Sequence, residues 1–179
     1  MLKIGLDLDQ TIDDFWGPYL DRFGPPKTDS EVTRNVMRIL SKDREFWLNL
    51  PVLRRPNFVP ALYCTARVNN KAWTKKYLEI NNFPKAPVYQ VPGYAASKAP
   101  RIKGRVDVFI DDSVRNFREL NSKGIPCLLM DAKNNRHIDT ILRVHTLNIE
   151  EIEYVYNTGQ QSGLFEKFNK IFNDEIKRN

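Results

Sequence analysis

The chain has 179 residues, 41% apolar and 28% charged, with a net charge of +6. That composition carries enough apolar surface to offset chain entropy in one domain with a small insertion, and it excludes disordered, collagen-like and low-complexity architectures. No apolar run approaches the ~18 residues that span a bilayer, and Asp7 interrupts the first apolar run too early for a secretory signal, so a cytoplasmic protein without a membrane segment is expected.

Residues 2–8 alternate in polarity, end in acid and read as a buried strand. The stretch 18–50 holds no central strand. Within it 30–40 has helical spacing, with Val32, Val36 and Ile39 or Leu40 on one face, and 43–50 forms a second short helix closed by Pro51. This is a helical insertion that divides a core, 1–17 and 51–179, from a small cap, 18–50. A second strand spans 58–65, with Pro60 near its start. A helix follows over 69–81, with Trp73, Tyr77, Leu78 and Ile80 as its apolar set. Residues 87–91 make a short strand and 105–111 a long one. A helix over 114–123 stops at Gly124, and 125–130 is a further strand. Residues 143–147 suit an edge strand, and 164–176 an amphipathic helix with Phe165, Phe168, Ile171 and Phe172 facing inward. Strands alternating with helical periods predict an α/β fold: a Rossmann-like core with a central parallel sheet and helices on both faces.

The basic balance attracts phosphate-bearing partners. Cys64 and Cys127 sit in apolar runs and suit buried, reduced thiols. His137 and His145 have no ligand cluster around them, which argues against zinc. The informative residues are the acids at strand ends. The first strand runs into Asp7-Leu8-Asp9-Gln10-Thr11, and the strand over 105–111 runs into Asp111-Asp112-Ser113. A single acid after a strand is ordinarily a turn residue or a helix cap, and Asp112 or Ser113 suits the cap of the following helix. The set is a different matter. Ligands of open parallel sheets bind outside the carboxyl ends of the strands. If both strands are central, at least three carboxylates converge there, and such crowding calls for a cation. Oxygen donors without His or Cys point to Mg²⁺.

The order Asp7-x-Asp9-x-Thr11, Leu62-Tyr63-Cys64-Thr65, a lysine within 98–103, and Ile110-Asp111-Asp112 resembles the haloacid dehalogenase superfamily of phosphotransferases, over residues 1 to about 131. The insertion falls where that superfamily carries a type-1 cap. Within the superfamily the chain is most similar to the 5′(3′)-deoxyribonucleotidase-like group, through the run from Asp7 to Asp14-Phe15 and the stretch Phe46-Trp47-Leu48-Asn49-Leu50-Pro51. Gln10 replaces the glycine common at its position.

The resemblance implies Asp7 as the nucleophile that forms an aspartyl-phosphate. It implies Asp9 as the acid that protonates the leaving oxygen and later activates water. It also implies Mg²⁺ held by Asp7, the Asp9 carbonyl, Asp111, and Asp112 directly or through water, and a base stacked on Phe15. Thr65, at a strand end beside the first strand, can donate to a phosphate oxygen, and Arg67 can fork on phosphate. Among Lys98, Arg101 and Lys103, geometry favours Lys98. Residues that enter the strand at 103–104 lie roughly 20 Å from its acidic end, at ~3.3 Å per residue, whereas the start of the preceding turn returns near the site. The expected activity is Mg²⁺-dependent hydrolysis of a small phosphorylated substrate, a deoxynucleoside monophosphate first. A 3′-phosphatase acting on nucleic-acid ends and a catalytically silent binding module on the same fold are the competing readings.

Overall fold

The computed structural model describes residues 1–168. Six short strands form one sheet: β1 (Ile4–Leu6), β2 (Leu62–Thr65), β3 (Val88–Gln90), β4 (Val108–Asp111), β5 (Cys127–Met130) and β6 (Arg143–Val144). Their order is β3-β2-β1-β4-β5-β6, and every neighbouring pair is parallel. The expected α/β fold is therefore what the chain adopts. The two central strands, β1 and β4, are buried on both faces, which is why they read as continuous apolar runs rather than alternating ones. Gly5 permits their close packing, since a Cβ there would come within 2.7 Å of the Phe109 ring.

Eight residues, Trp16–Phe23, form α1. Asp29–Arg38 forms α2, and Arg44–Leu48 forms α3; all three lie between β1 and β2. Thr28 caps α2 by accepting from the Glu31 N–H, and Asp43 caps α3 by accepting from the Phe46 N–H. The helical insertion thus begins earlier than expected. Gly17 and Pro18 masked its first helix, but proline is tolerated in a first turn, where its missing N–H has no partner to lose. The later helices are α4 (Lys71–Ile80), α5 (Ala99–Ile102), α6 (Val114–Ser122) and α7 (Ile149–Gln161).

Several strands start later than the apolar runs predict. β2 pairs from Ala61 onward, through its N–H to the Ile4 carbonyl, because Pro60 has no donor. The edge strand shrinks to the two residues of β6. Sequence reading missed α7, although Asn148 followed by Glu150 and Glu151 is an N-terminal helix signal. Residues 164–168 are helical, with Phe165 buried and Phe168 edge-on to Phe117. Ile171 and Phe172 of the predicted terminal helix lie outside the described residues. Among the described residues no helix is long and apolar enough to cross a membrane.

The loop after β1 carries a backbone cost. Gln10 has φ +62°, a left-handed conformation that glycine adopts freely and other residues at about 1–2 kcal/mol. Its side chain offsets part of this by donating to Asp14 Oδ1 at 2.9 Å; the same oxygen accepts from the Gly17 N–H and starts α1. Arg54 clamps the loop from outside, donating to the Gln10 carbonyl at 3.0 Å and to the Asp131 carbonyl at 2.7 Å. Gln10→Gly should change stability by less than about 1 kcal/mol, whereas the β-branched Gln10→Val should lose about 1–3 kcal/mol in urea denaturation. Equal midpoints for the two variants would contradict this account of the loop.

Candidate active site

The chain leaves β1 toward β2 and β3 on one side and then crosses to β4 on the other. β1 and β4 therefore flank the point where strand order reverses, and a crevice opens outside their carboxyl ends. Register fixes what stands there. Leu6 pairs with Ile110, and the Asp7 N–H donates to the Ile110 carbonyl at 2.9 Å, so Asp7 and Asp111 emerge side by side. Asp112 completes the group: oxygens of Asp7, Asp111 and Asp112 lie within 4.8 Å of one another, and all three residues are buried.

One cation enters this cluster from below. Lys98 stands just before α5, is 2% exposed, and places Nζ 2.7 Å from Asp7 Oδ1 and 2.8 Å from Asp111 Oδ2. Among the described residues the Lys98 ammonium is the group set against Asp7 Oδ1. Arg101 and Lys103 are exposed. Asp111 is the best-satisfied of the three carboxylates. It accepts from the Ser113 N–H at 2.9 Å and from Asn116 Nδ2 at 3.1 and 2.9 Å, as well as from Lys98. Among the described residues the Asp112 side chain receives only Asn134 Nδ2, at 3.3 Å, while Asn135 holds its carbonyl at 2.7 Å. The asparagines were not legible as site residues. Asn116 lies five residues after Asp111, on the first turn of α6, a spacing that could have suggested it.

Three carboxylates against one ammonium leave negative charge uncompensated in a dry place. Burial first, then Asp111, pushes the Asp7 carboxyl up to about 7 against the pull of Lys98. Burial and then Asp111 also raise Asp112 well above the carboxylate range. For Lys98, burial pulls downward, but Asp111 and Asp7 outweigh it and the ammonium stays charged. Three clustered carboxylates, oxygen-only donors and the few partners that Asp7 and Asp112 have among the described residues suit a hard divalent cation such as Mg²⁺.

This arrangement has a pH signature. Asp7 keeps a proton in the folded state that it releases when unfolded, so its contribution to metal-free stability is full below about 3.8 and is lost as pH rises through about 7. A divalent cation substitutes for the proton and gains as the proton leaves. Mg²⁺ at ~100 times its Kd should add about 2.7 kcal/mol near pH 8, roughly 5–10 °C in Tm, and much less near pH 5. A thermal shift that is absent, or larger at the lower pH, would remove the cation from this cluster.

Asp9 and Thr65 border the cluster. The Thr65 hydroxyl, fully buried at the end of β2, accepts from the Arg67 N–H at 3.2 Å and keeps its own proton for donation. Arg67 is buried beside Asp9. Its guanidinium is fully enclosed and closes on carboxylates: Nε and Nη2 donate to Asp9 Oδ1 at 2.9 and 2.7 Å, and Nη2 also donates to Asp13 Oδ2. The guanidinium expected to fork on phosphate is thus engaged with carboxylates in this structure, one of them the buried Asp13, which the sequence analysis does not name. Burial pushes the Asp13 carboxyl up to about 8 despite Arg67. Phe15 is half-buried amid the insertion's aromatics, with ring centroids 5.4 Å from Trp16, 5.9 Å from Phe46 and 5.9 Å from Trp47.

No family model matches the chain, and no curated protein matches its sequence.

Proposed function

We propose that the protein is a Mg²⁺-dependent phosphomonoester hydrolase of the kind its motifs resemble, the haloacid dehalogenase superfamily, with a deoxynucleoside monophosphate as its substrate. The observation that carries this reading is the cluster of Asp7, Asp111 and Asp112 at the switch point of a parallel sheet, bridged by Lys98. In this reading Asp7 attacks phosphorus and forms an aspartyl-phosphate. Asp9, two residues along the same loop, gives a proton to the leaving oxygen and then takes one from the attacking water. Lys98 holds the Asp7 carboxylate in place and lowers the cost of its charge. The Thr65 hydroxyl is available to a phosphate oxygen. Mg²⁺ bound at the cluster would offset the repulsion between the carboxylate and the anionic substrate.

The half-buried Phe15 supports the nucleotide assignment. It lies between the nucleophile loop and the insertion, where one face of a base could add to an existing group of rings. The test is phosphate release from a panel of deoxynucleoside monophosphates, an aryl phosphate and a 3′-phosphorylated oligonucleotide, each with Mg²⁺ and with chelator. Metal-dependent turnover that favours the mononucleotides is expected. Preference for the oligonucleotide would move the substrate to nucleic-acid ends, and no release from any of them would leave a binding module. Phe15→Ala should raise KM for nucleotides roughly tenfold, given ~1–3 kcal/mol for a stacked base. It should leave the aryl phosphate nearly unchanged. Equal losses on both substrates would make Phe15 part of the packing only.

A further inference from the structure

Arg67 sits at a junction that the reaction as described does not use. It follows β2, and its guanidinium is enclosed by rings from two elements: Trp47 of α3 at 5.1 Å and Tyr77 of α4 at 5.4 Å. Trp47 belongs to the helical insertion and is itself locked, its indole N–H donating to the Leu40 carbonyl at 2.6 Å. In the plane of the guanidinium lie Asp9 Oδ1 and Asp13 Oδ2. Arg67 and Asp13 have fully buried side chains, whereas Asp9 is 28% exposed. Thus one oxygen of Asp9 is held by two donors from the interior, while part of its side chain stays exposed.

We propose that Arg67 is the positioning residue that aims Asp9 for proton transfer, with Asp13 as its buried hydrogen-bond partner and Trp47 as the contact through which the insertion holds it. This rests on the hydrolase reading above and assigns the control of its acid–base group. Two donors converging on one carboxylate oxygen from an enclosed guanidinium fix where that oxygen sits and restrict rotation of the Asp9 side chain. An acid that gives and then retakes a proton must be aimed, because proton transfer needs its oxygen within about 3 Å of the partner atom. Asp13 accepts from the guanidinium inside the protein, where a buried donor without a partner is costly. The insertion packs on this pair through Trp47, so an insertion that shifts would loosen the acid.

The test separates aiming from general damage by the leaving group. For 2,4-dinitrophenyl phosphate the departing oxygen needs no proton; for phenyl phosphate, whose phenol is as weak an acid as tyrosine at ~10, it does. Arg67→Lys should lower kcat/KM for phenyl phosphate by about 100-fold or more, the scale of a lost proton transfer, and for the dinitrophenyl ester by less than about fivefold. The double variant Arg67→Gln with Asp13→Asn removes both charges together. It should fold with the wild-type circular dichroism and show the same split, which keeps the result readable if Arg67→Lys melts. Equal losses on both esters, or a double variant as active as wild type on phenyl phosphate, would overturn the proposal. If the unaltered chain releases no phosphate from either ester with Mg²⁺, the hydrolase reading falls and this proposal with it. Equal losses in an active chain overturn this proposal alone.

Discussion

Asp7→Asn should lose at least ~10³-fold in turnover while making the metal-free protein more stable, a combination that separates a nucleophile from a packing residue. The loss follows from the hydrolase reading: the amide has the shape of the carboxylate but not the charge that attacks phosphorus. The gain follows from the cluster. Asp7 is buried with Asp111 and Asp112 around a single ammonium, and burial with Asp111 holds its carboxyl up to about 7. Near pH 8 the wild type must carry that charge in a site that disfavours it. Asparagine removes the charge and leaves Lys98 still paired with Asp111 at 2.8 Å. Stabilisation of roughly 1–3 kcal/mol is expected near pH 8 in chelator, and it should shrink toward pH 5, where Asp7 is protonated in the folded protein. Added Mg²⁺ should narrow the difference, because it stabilises the wild type more. Phosphate release and thermal melting on the same samples check both halves. Turnover within about tenfold of wild type would end the assignment of Asp7 as nucleophile.

What the sequence makes legible here depends on how far each signal acts. Asp7 and Asp111 could be placed together because two apolar runs, each ending in acid, become adjacent strands once the sheet is parallel and both are central. Lys98 could be preferred over Lys103 by chain geometry alone, since the rise of a strand separates its two ends by a known length; the structure sets Lys98 between the carboxylates and leaves Lys103 exposed. Arg67 shows the opposite case. A guanidinium suits phosphate and carboxylate equally well, and nothing local distinguishes them. The partner is decided by Asp13, brought under β2 by the turn after β1, a contact between residues 54 apart in the chain. α1 was hidden for a different reason. Its Gly17 and Pro18 carry turn signals stronger than the periodicity of eight residues, and the helix is held by Tyr19, which packs against Phe15 and Phe23, rather than by propensity. The asparagines Asn116, Asn134 and Asn135 are polar residues whose role exists only once the acids they face have been brought to the strand ends.

Lys98→Met tests the electrostatic arrangement itself, independently of substrate. Methionine keeps most of the stem that the fold buries and deletes the ammonium, leaving Asp7, Asp111 and Asp112 with no cation among them. Breaking a buried pair from one side leaves uncompensated charge and costs about 3–5 kcal/mol. That cost should depend on pH in a determined direction. The Lys98 ammonium is held above its ordinary value by Asp111 and Asp7 against burial, so it is charged throughout the neutral range and its own titration adds no slope there. The slope comes from the acids. Lys98 pulls Asp7 down; without it Asp7 holds its proton to higher pH, so through Asp7 both proteins lose stability alike up to about pH 7, and the variant's deficit widens above it, where only the wild-type Asp7 ionises readily. Near pH 5 Asp7 is protonated in the folded form of both proteins, and the deficit should be smaller than near pH 8. Mg²⁺ near pH 8 should recover part of the loss, since it supplies the missing positive charge to the same oxygens. Lys103→Ala, five residues on and exposed at the end of α5, should stay within about 0.5 kcal/mol of wild type at every pH. Chemical denaturation at three pH values, with Mg²⁺ and with chelator, reads all of this. If Lys98→Met unfolds at the wild-type midpoint near pH 8 in chelator, the ammonium is not what holds the three carboxylates together, and the cluster must be neutralised by protons alone.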